Sequence, residues 1–493
     1  MRKNFVLLWA VLFITAMALP AAAVDLSISG YYQVRGFYQS NANQGMVTPW
    51  DGSSVPAAVD NSSPADADYT DPGDFPGNYA SPEAWWDHFL CIEPVFKITD
   101  NLKLHAAIGV FNNQMWGSSE TSGACSWAGE VGVDAFGADA TNISWDAAYI
   151  EWATPKGTLM VGRMAGNYIY FTDWANTEMC LDRIEYLSPE WNGFSLNAFY
   201  EKRQEKSATS GKNAADEDED RYSLVLQYAR PCYALGAGIN YVRDRSGSVY
   251  DAVDNPNHWK ANQYDYVFSL TANDPTNTWF FEGELMINDG DYRDYYGAAQ
   301  DIGRGGWGYY ANLGMKKDAL TAGVATAFTS GDDNKDDGDY DVGPASGLDF
   351  QPLYILYGPY SNILNTSLMD TTRKAGYSNT TKFALPGTTG GQTDTATGSQ
   401  VYWIYADYQV NPQLAVHGAL GVAYADKVNN NLYQDDEFGK ELDLGLKYQI
   451  MSNLAYELHF GYLWTGDFFK GAAGDNYNTD DVYQIDHSLT LSF

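Results

Sequence analysis

The sequence predicts an all-β fold: a transmembrane antiparallel β-barrel of about 18 strands, with short periplasmic turns and long acidic extracellular loops. Three observations lead there. Segments of about ten residues alternate apolar and polar side chains, the period of a strand whose two faces meet different surroundings. The connections alternate between tight turns and long acidic stretches. The only long apolar run is an N-terminal export signal.

Composition removes the rival classes. The chain has 493 residues and a net charge of −34, with 19% charged and 15% aromatic residues. The aromatic content excludes disorder. The acidity disfavours a nucleic-acid partner, because a polyanion repels it. A single apolar run excludes a bundle of membrane helices. The 37 tyrosines outnumber the 29 lysines and arginines, which suits a barrel with aromatic girdles at its two membrane interfaces.

Residues 1–23 read as a signal peptide: Arg2 and Lys3, an apolar stretch from Phe5 to Leu19, then Ala21-Ala22-Ala23. Residues 24–493 then form one barrel domain placed in the outer membrane. Strands are expected to start near residues 25, 86, 101, 142, 158, 183, 194, 220, 233, 264, 278, 306, 320, 400, 414, 438, 454 and 482. In the clearest, Tyr222, Leu224, Leu226 and Tyr228 share one face and Arg221, Ser223, Val225 and Gln227 the other. Tight turns carry Pro, Asn, Asp or Gly, as in Thr99-Asp100-Asn101, Asp274-Pro275-Thr276-Asn277, Asn411-Pro412-Gln413 and Met451-Ser452-Asn453. Between hairpins lie the long loops, chiefly 41–84 and 331–399. The apolar piece from Phe350 to Tyr357 is hard to reconcile with a solvated tip, and is expected to fold into the barrel as a constriction or lid. Closure follows from the backbone, since a sheet in lipid cannot leave an edge unpaired.

The last strand alternates through Tyr483, Ile485, His487, Leu489, Leu491 and Phe493. This ending resembles the assembly signal read by the outer-membrane barrel-assembly machinery, carried by Tyr483, Ile485, Leu489, Leu491 and Phe493. Three internal segments resemble Gram-negative outer-membrane porins: Phe96 to Lys103 around a Thr-Asp-Asn-Leu turn, Ala148 to Trp152 followed by Gly162-Arg163, and Ser330 to Asn334 followed by Phe350 to Leu353. The third is similar to an acidic loop of alginate-export-like 18-stranded porins. The resemblance implies an 18-stranded barrel with a polar lumen. Alginate exporters line their pore with many arginines and lysines, and this chain departs from that pattern.

Strand parity assigns the pore-lining set. Its acids are Glu93, Glu151, Glu185, Glu201, Asp265, Glu282, Glu284, Asp407, Glu441, Asp443, Glu457 and Asp486. Its bases are Arg35, Lys97, Lys103, Arg163, Arg183, Arg221, Lys316 and Lys447. Acids outnumber bases, so the expected function is passive diffusion of small hydrophilic solutes and ions with a mild cation preference. A constriction between Arg35, Arg163, Arg183, Arg221 and Glu93, Glu151, Glu185, Glu201 is one form this takes; mutual neutralisation in a wide barrel is the other.

Alternatives are a sugar-type channel with Trp403, Tyr405, Tyr310 and Phe280 as a stacking track, a barrel sheath around a partner cytochrome, and a loop-based adhesin. No catalytic motif is present, so no enzyme and no organic cofactor are expected. The six histidines show no metal-ligand spacing. Asp332, Asp333, Asp336, Asp337, Asp339 and Asp341 have the ligand type of a Ca²⁺ site, but Gly338 sits one place late and the twelfth-position Glu is missing. A solvated, self-repelling loop and divalent bridging to lipopolysaccharide are the competing readings. Cys125 and Cys180 fall in polar stretches and either pair with each other or, with Cys91 and Cys232, stay unpaired. Expected partners are membrane lipid and lipopolysaccharide, the assembly machinery and small solutes, with no nucleic acid. The assembly is either a monomer or a homotrimer.

Overall fold

The computed structural model describes residues 24–40, 83–116, 143–166, 171–175, 179–205, 218–245, 260–293, 302–332, 339–344, 350–357, 397–428, 435–468 and 481–493. Most of them form one sheet that closes on itself, antiparallel throughout its wall. Its strands are β1 (Asp25–Ser40), β2 (Glu83–Thr99), β3 (Leu102–Met115), β4 (Ile143–Thr154), β5 (Gly157–Gly166), β6 (Met179–Leu187) and β7 (Phe194–Gln204). These are followed by β8 (Glu219–Arg230), β9 (Tyr233–Asp244), β10 (Lys260–Asn273), β11 (Trp279–Arg293), β12 (Ile302–Arg304), β13 (Trp307–Lys317) and β14 (Leu320–Thr329). The last are β15 (Asp339–Tyr340), β16 (Ser399–Asn411), β17 (Leu414–Tyr424), β18 (Glu437–Met451), β19 (Leu454–Thr465) and β20 (Val482–Ser492).

Eighteen of these make the barrel wall. The short β12 and β15 pair parallel to each other beside the far end of β11. Every expected strand start is matched within four residues, the largest offsets being at β6 and β10. Closure joins β1 to β20 in the register Tyr31↔Ser492 through Ser40↔Tyr483. At the seam Gly30 and Phe493 exchange both backbone hydrogen bonds at 3.0 Å, so the terminal aromatic completes the ladder.

The sheet has two chemically opposite faces. Along β8, Tyr222, Leu224 and Leu226 are 46–48% exposed, while Arg221, Ser223 and Val225 are buried. The same inversion recurs in β10, where Phe268 and Leu270 are exposed and Asp265 and Val267 buried. Apolar outside and ionic inside is the arrangement that lipid imposes on a barrel. Aromatic rings gather near both rims of the outer face. Tyr222, Tyr241 and Tyr264 stack across three strands at 6.2 and 5.0 Å. Trp191, Phe194, Tyr228 and Tyr233 form a chain of stacked and tilted ring contacts near the turns. The buried hydrophobic cluster lies inside the barrel, where two loop segments pack against the wall.

Candidate functional site: the lumen

The inner wall of β1–β8 is built from ion pairs set by strand register. Arg183, Glu201 and Arg221 stand opposite one another on β6, β7 and β8. Arg183 Nη2 lies 2.8 Å from Glu201 and its Nη1 3.2 Å from Glu185, while Arg221 lies 3.2 Å from the second Glu201 oxygen. The Arg183 and Glu201 side chains are both fully buried, and the guanidinium sits 4.3 Å over the Phe199 ring. Arg35 grips Asp87 with two hydrogen bonds of 2.8 Å. Glu151 takes Lys103 on one oxygen and His105 on the other, each at 2.8 Å, and His105 stacks on Tyr149. Asp265 is held by Arg304 at 3.0 Å and Asn288 at 2.7 Å.

The opposite wall is covered by chain. Residues 350–357 lie along β16–β19 with Leu353, Ile355, Leu356 and Tyr357 buried. Their backbone is docked on carboxylates: Ile355 and Leu356 donate to Glu441, and Tyr354 donates to Asp443. A Cβ on Gly421 would fall 2.6 Å from Leu353, so glycine makes the bed for this segment. Burial drives the Tyr357 phenol well above its ordinary range. The expected in-folding of this piece is therefore observed.

A second segment, residues 171–175, docks the same way. Phe171 and Thr172 donate their backbone N–H groups to one oxygen of Glu284 at 2.7 and 2.9 Å, and Trp174 is 1% exposed. Gly308 lies directly beneath the Trp174 ring. Nothing in the strand pattern singled out this segment. Its signal was an aromatic pair, Phe171 and Trp174, within a polar connection.

Several expected roles change. Arg163 does not face the lumen: it shares the outer face of β5 with exposed Val161 and meets Asp182 there at 3.9 Å. The inner position beside it is Gly162, because β5 pairs Arg163 with the outward Ala148. Glu284 and Glu441 line the wall but are spent on docking backbone amides. The aromatic track is covered, since Tyr310 and Trp403 stack at 6.3 Å beneath Phe350, and Trp403 is only 7% exposed. Phe280 carries Lys316 at 5.0 Å over its ring. Glu93, Lys97, Glu282, Asp407 and Glu457 lie on inner-facing strand positions, with Lys97 paired to Asp100 at the turn and Lys447 to Glu457. Ion pairing with Lys97 lowers the Asp100 carboxyl below its usual range.

Cys125, Asp333, Asp336 and Asp337 lie outside the described residues, as does the side chain of Cys180, so the disulfide and most of the Ca²⁺ set have no geometry here. Among the described residues no three His, Cys, Asp or Glu side chains form a metal-sized group, and Cys91 and Cys232 are free thiols.

No family model and no curated protein matches the sequence. Solved structures similar in fold are outer-membrane proteins. The outer membrane channel DcaP of Acinetobacter baumannii is 12% identical, with 96% of this chain and 98% of that one covered and a TM-score of 0.43. OpdK of Pseudomonas aeruginosa is 13% identical over 95% and 99%, with a TM-score of 0.47. OpdQ of Pseudomonas aeruginosa is 10% identical over 95% and 98%, with a TM-score of 0.47.

Proposed function

We propose that the chain is an outer-membrane porin passing small hydrophilic solutes and ions by passive diffusion, with a mild cation preference. One observation carries this reading: a single closed sheet presents leucines, valines and aromatics outward and ion-paired side chains inward. Such a wall suits lipid on one side and water on the other.

The cation preference rests on the balance of the inner face. Moving Arg163 to the outer face deepens the excess of acid. Among the described residues no lysine or arginine ion-pairs with Glu93, Glu282, Asp407 or Asp486. Carboxylates that no lysine or arginine neutralises favour cations in a pore. A polyanionic substrate of the alginate type does not suit this wall, where Arg35, Lys103, Arg183 and Arg221 are each taken up by a carboxylate. A sugar track is disfavoured by the covering of Trp403, and a cytochrome sheath by the segments that occupy the lumen.

Export through residues 1–23, assembly through the C-terminal strand and lipopolysaccharide contact through the acidic loops complete the proposal. The reversal potential of the refolded protein under a KCl gradient at neutral pH tests it. A potential of the sign that K⁺ permeation gives is expected. Anion preference overturns the selectivity, and a non-conducting barrel overturns the porin reading.

A further inference from the structure

One row of the inner wall has a composition that neither the ion-pair pattern nor the docked segments explain. Strand register sets Asp407, His417, Gly445, His459 and Asp486 side by side across β16, β17, β18, β19 and β20. The Nδ1 of His417 lies 2.7 Å from Asp407, and the Nδ1 of His459 lies 3.0 Å from Asp486. An ionised carboxylate only accepts, so each Nδ1–H donates and each Nε2 is left to take a second proton. Gly445 stands between the rings: a Cβ there would lie 3.0 Å from the His459 ring and 3.5 Å from the His417 Cβ. The side chains are 33% exposed for His417 and 26% for His459, so both meet lumen water.

Charged groups surround this row on several strands: Lys316 of β13 lies in the same row beyond Thr321, and Arg35 of β1, held by Asp87, lies one row below beside Ser488. On β18, Asp443 is one row above and acts electrostatically on both histidines, and Lys447 is one row below, paired with Glu457 of β19. Tyr354 of the docked segment stacks on His459 at 4.5 Å. Its phenol is pushed far up, by burial first and then by Asp486, Asp443, Glu457 and Asp407. The row therefore sits beside the docked segment, among carboxylates and the paired bases Lys447 and Arg35.

We propose that His417 and His459 determine the selectivity of the pore by switching this row between two net negative charges and none. Histidine is the side chain that changes charge between about pH 5 and 8. With neutral imidazoles the row presents Asp407 and Asp486 to passing ions. With both imidazoles protonated, each carboxylate is neutralised by the ring it already holds. Cations are favoured in the first state, and the preference weakens in the second. This rests on the porin reading.

The test uses the refolded full chain in a planar bilayer under a KCl gradient, at about pH 7.5 and about pH 5. Wild type is expected to shift its reversal potential toward zero on acidification. The double variant His417→Gln/His459→Gln, with side chains that do not titrate, is expected to lose that shift. A second variant, Asp407→Asn/Asp486→Asn, is expected to show a weakened cation preference already at the higher pH. An equal pH shift in wild type and the glutamine variant overturns the role of the row while leaving the pore intact. A wild-type barrel that never conducts overturns the pore and the row together.

Discussion

The Glu441 carboxylate accepts the backbone N–H of Leu356 at 2.8 Å while holding the N–H of Ile355 on its other oxygen. A wall side chain thus serves as the end-stop of a loop more than 80 residues away in sequence. The same relationship joins Glu284 to Phe171. Two long connections are pinned to the lumen wall by the same device, a buried carboxylate receiving two adjacent amides.

Removing that carboxylate is expected to free the segment without opening the barrel. A buried hydrogen bond contributes roughly 0.5–1.5 kcal/mol, and Glu441→Ala loses two. A Leu353→Cys reporter is expected to be protected from a thiol reagent in the wild-type background and labelled in Glu441→Ala, with labelling mapped by mass. Protection in both backgrounds contradicts the docking role.

The Arg183–Glu201 pair is the wall's most buried ion pair among the described residues, with both side chains at 0% exposure. Glu201→Ala removes the buried carboxylate that Arg183 and Arg221 share, leaving Arg183 to Glu185. Breaking such a pair costs roughly 3–5 kcal/mol. Denaturant unfolding in lipid vesicles measures this, and a loss below about 1 kcal/mol means water reaches the site.

Leu224 sits mid-strand on the outer face at 48% exposure. Leu224→Arg is expected to cost roughly 2–4 kcal/mol in lipid, the price of a charge near the bilayer midplane. An unchanged unfolding midpoint places that face against something other than lipid.

Asp274 closes the β10–β11 turn by accepting the Thr276 hydroxyl and the Trp279 N–H. These hydrogen bonds, Thr276 first, lower its carboxyl below the usual range. A depressed value in the folded state means the contribution is full above the ordinary carboxylate range and lost as pH falls through the lowered one. Wild type is therefore expected to be more stable than Asp274→Asn at neutral pH, with the difference vanishing in strong acid. A difference independent of pH removes the charge from the explanation.

The barrel was legible because its signals are local. Tyr222, Leu224 and Leu226 alternate with Arg221, Ser223 and Val225 whatever their neighbours are, and turns such as Asn411-Pro412-Gln413 announce themselves. Tertiary relations were less legible. Parity alone misplaced Arg163, because Gly162 and Arg163 follow a turn from which either phase can be counted. Glu441 read as one more pore acid, since nothing near it in sequence reveals that Ile355 and Leu356 come to rest on it. The histidine row is half legible: Asp407 and His417 are equidistant from Pro412, and Gly445 and His459 from Ser452, so each hairpin pairs them. Joining the two hairpins across β17 and β18 requires the register over the longer connection, which no local pattern fixes.

Single-channel conductance in a planar bilayer, comparing wild type with Glu284→Ala/Glu441→Ala, tests most directly whether this is a pore narrowed by its own docked segments. The account predicts stable wild-type steps and larger steps in the variant. Steps of equal size contradict the constriction, and the absence of steps in both contradicts the pore.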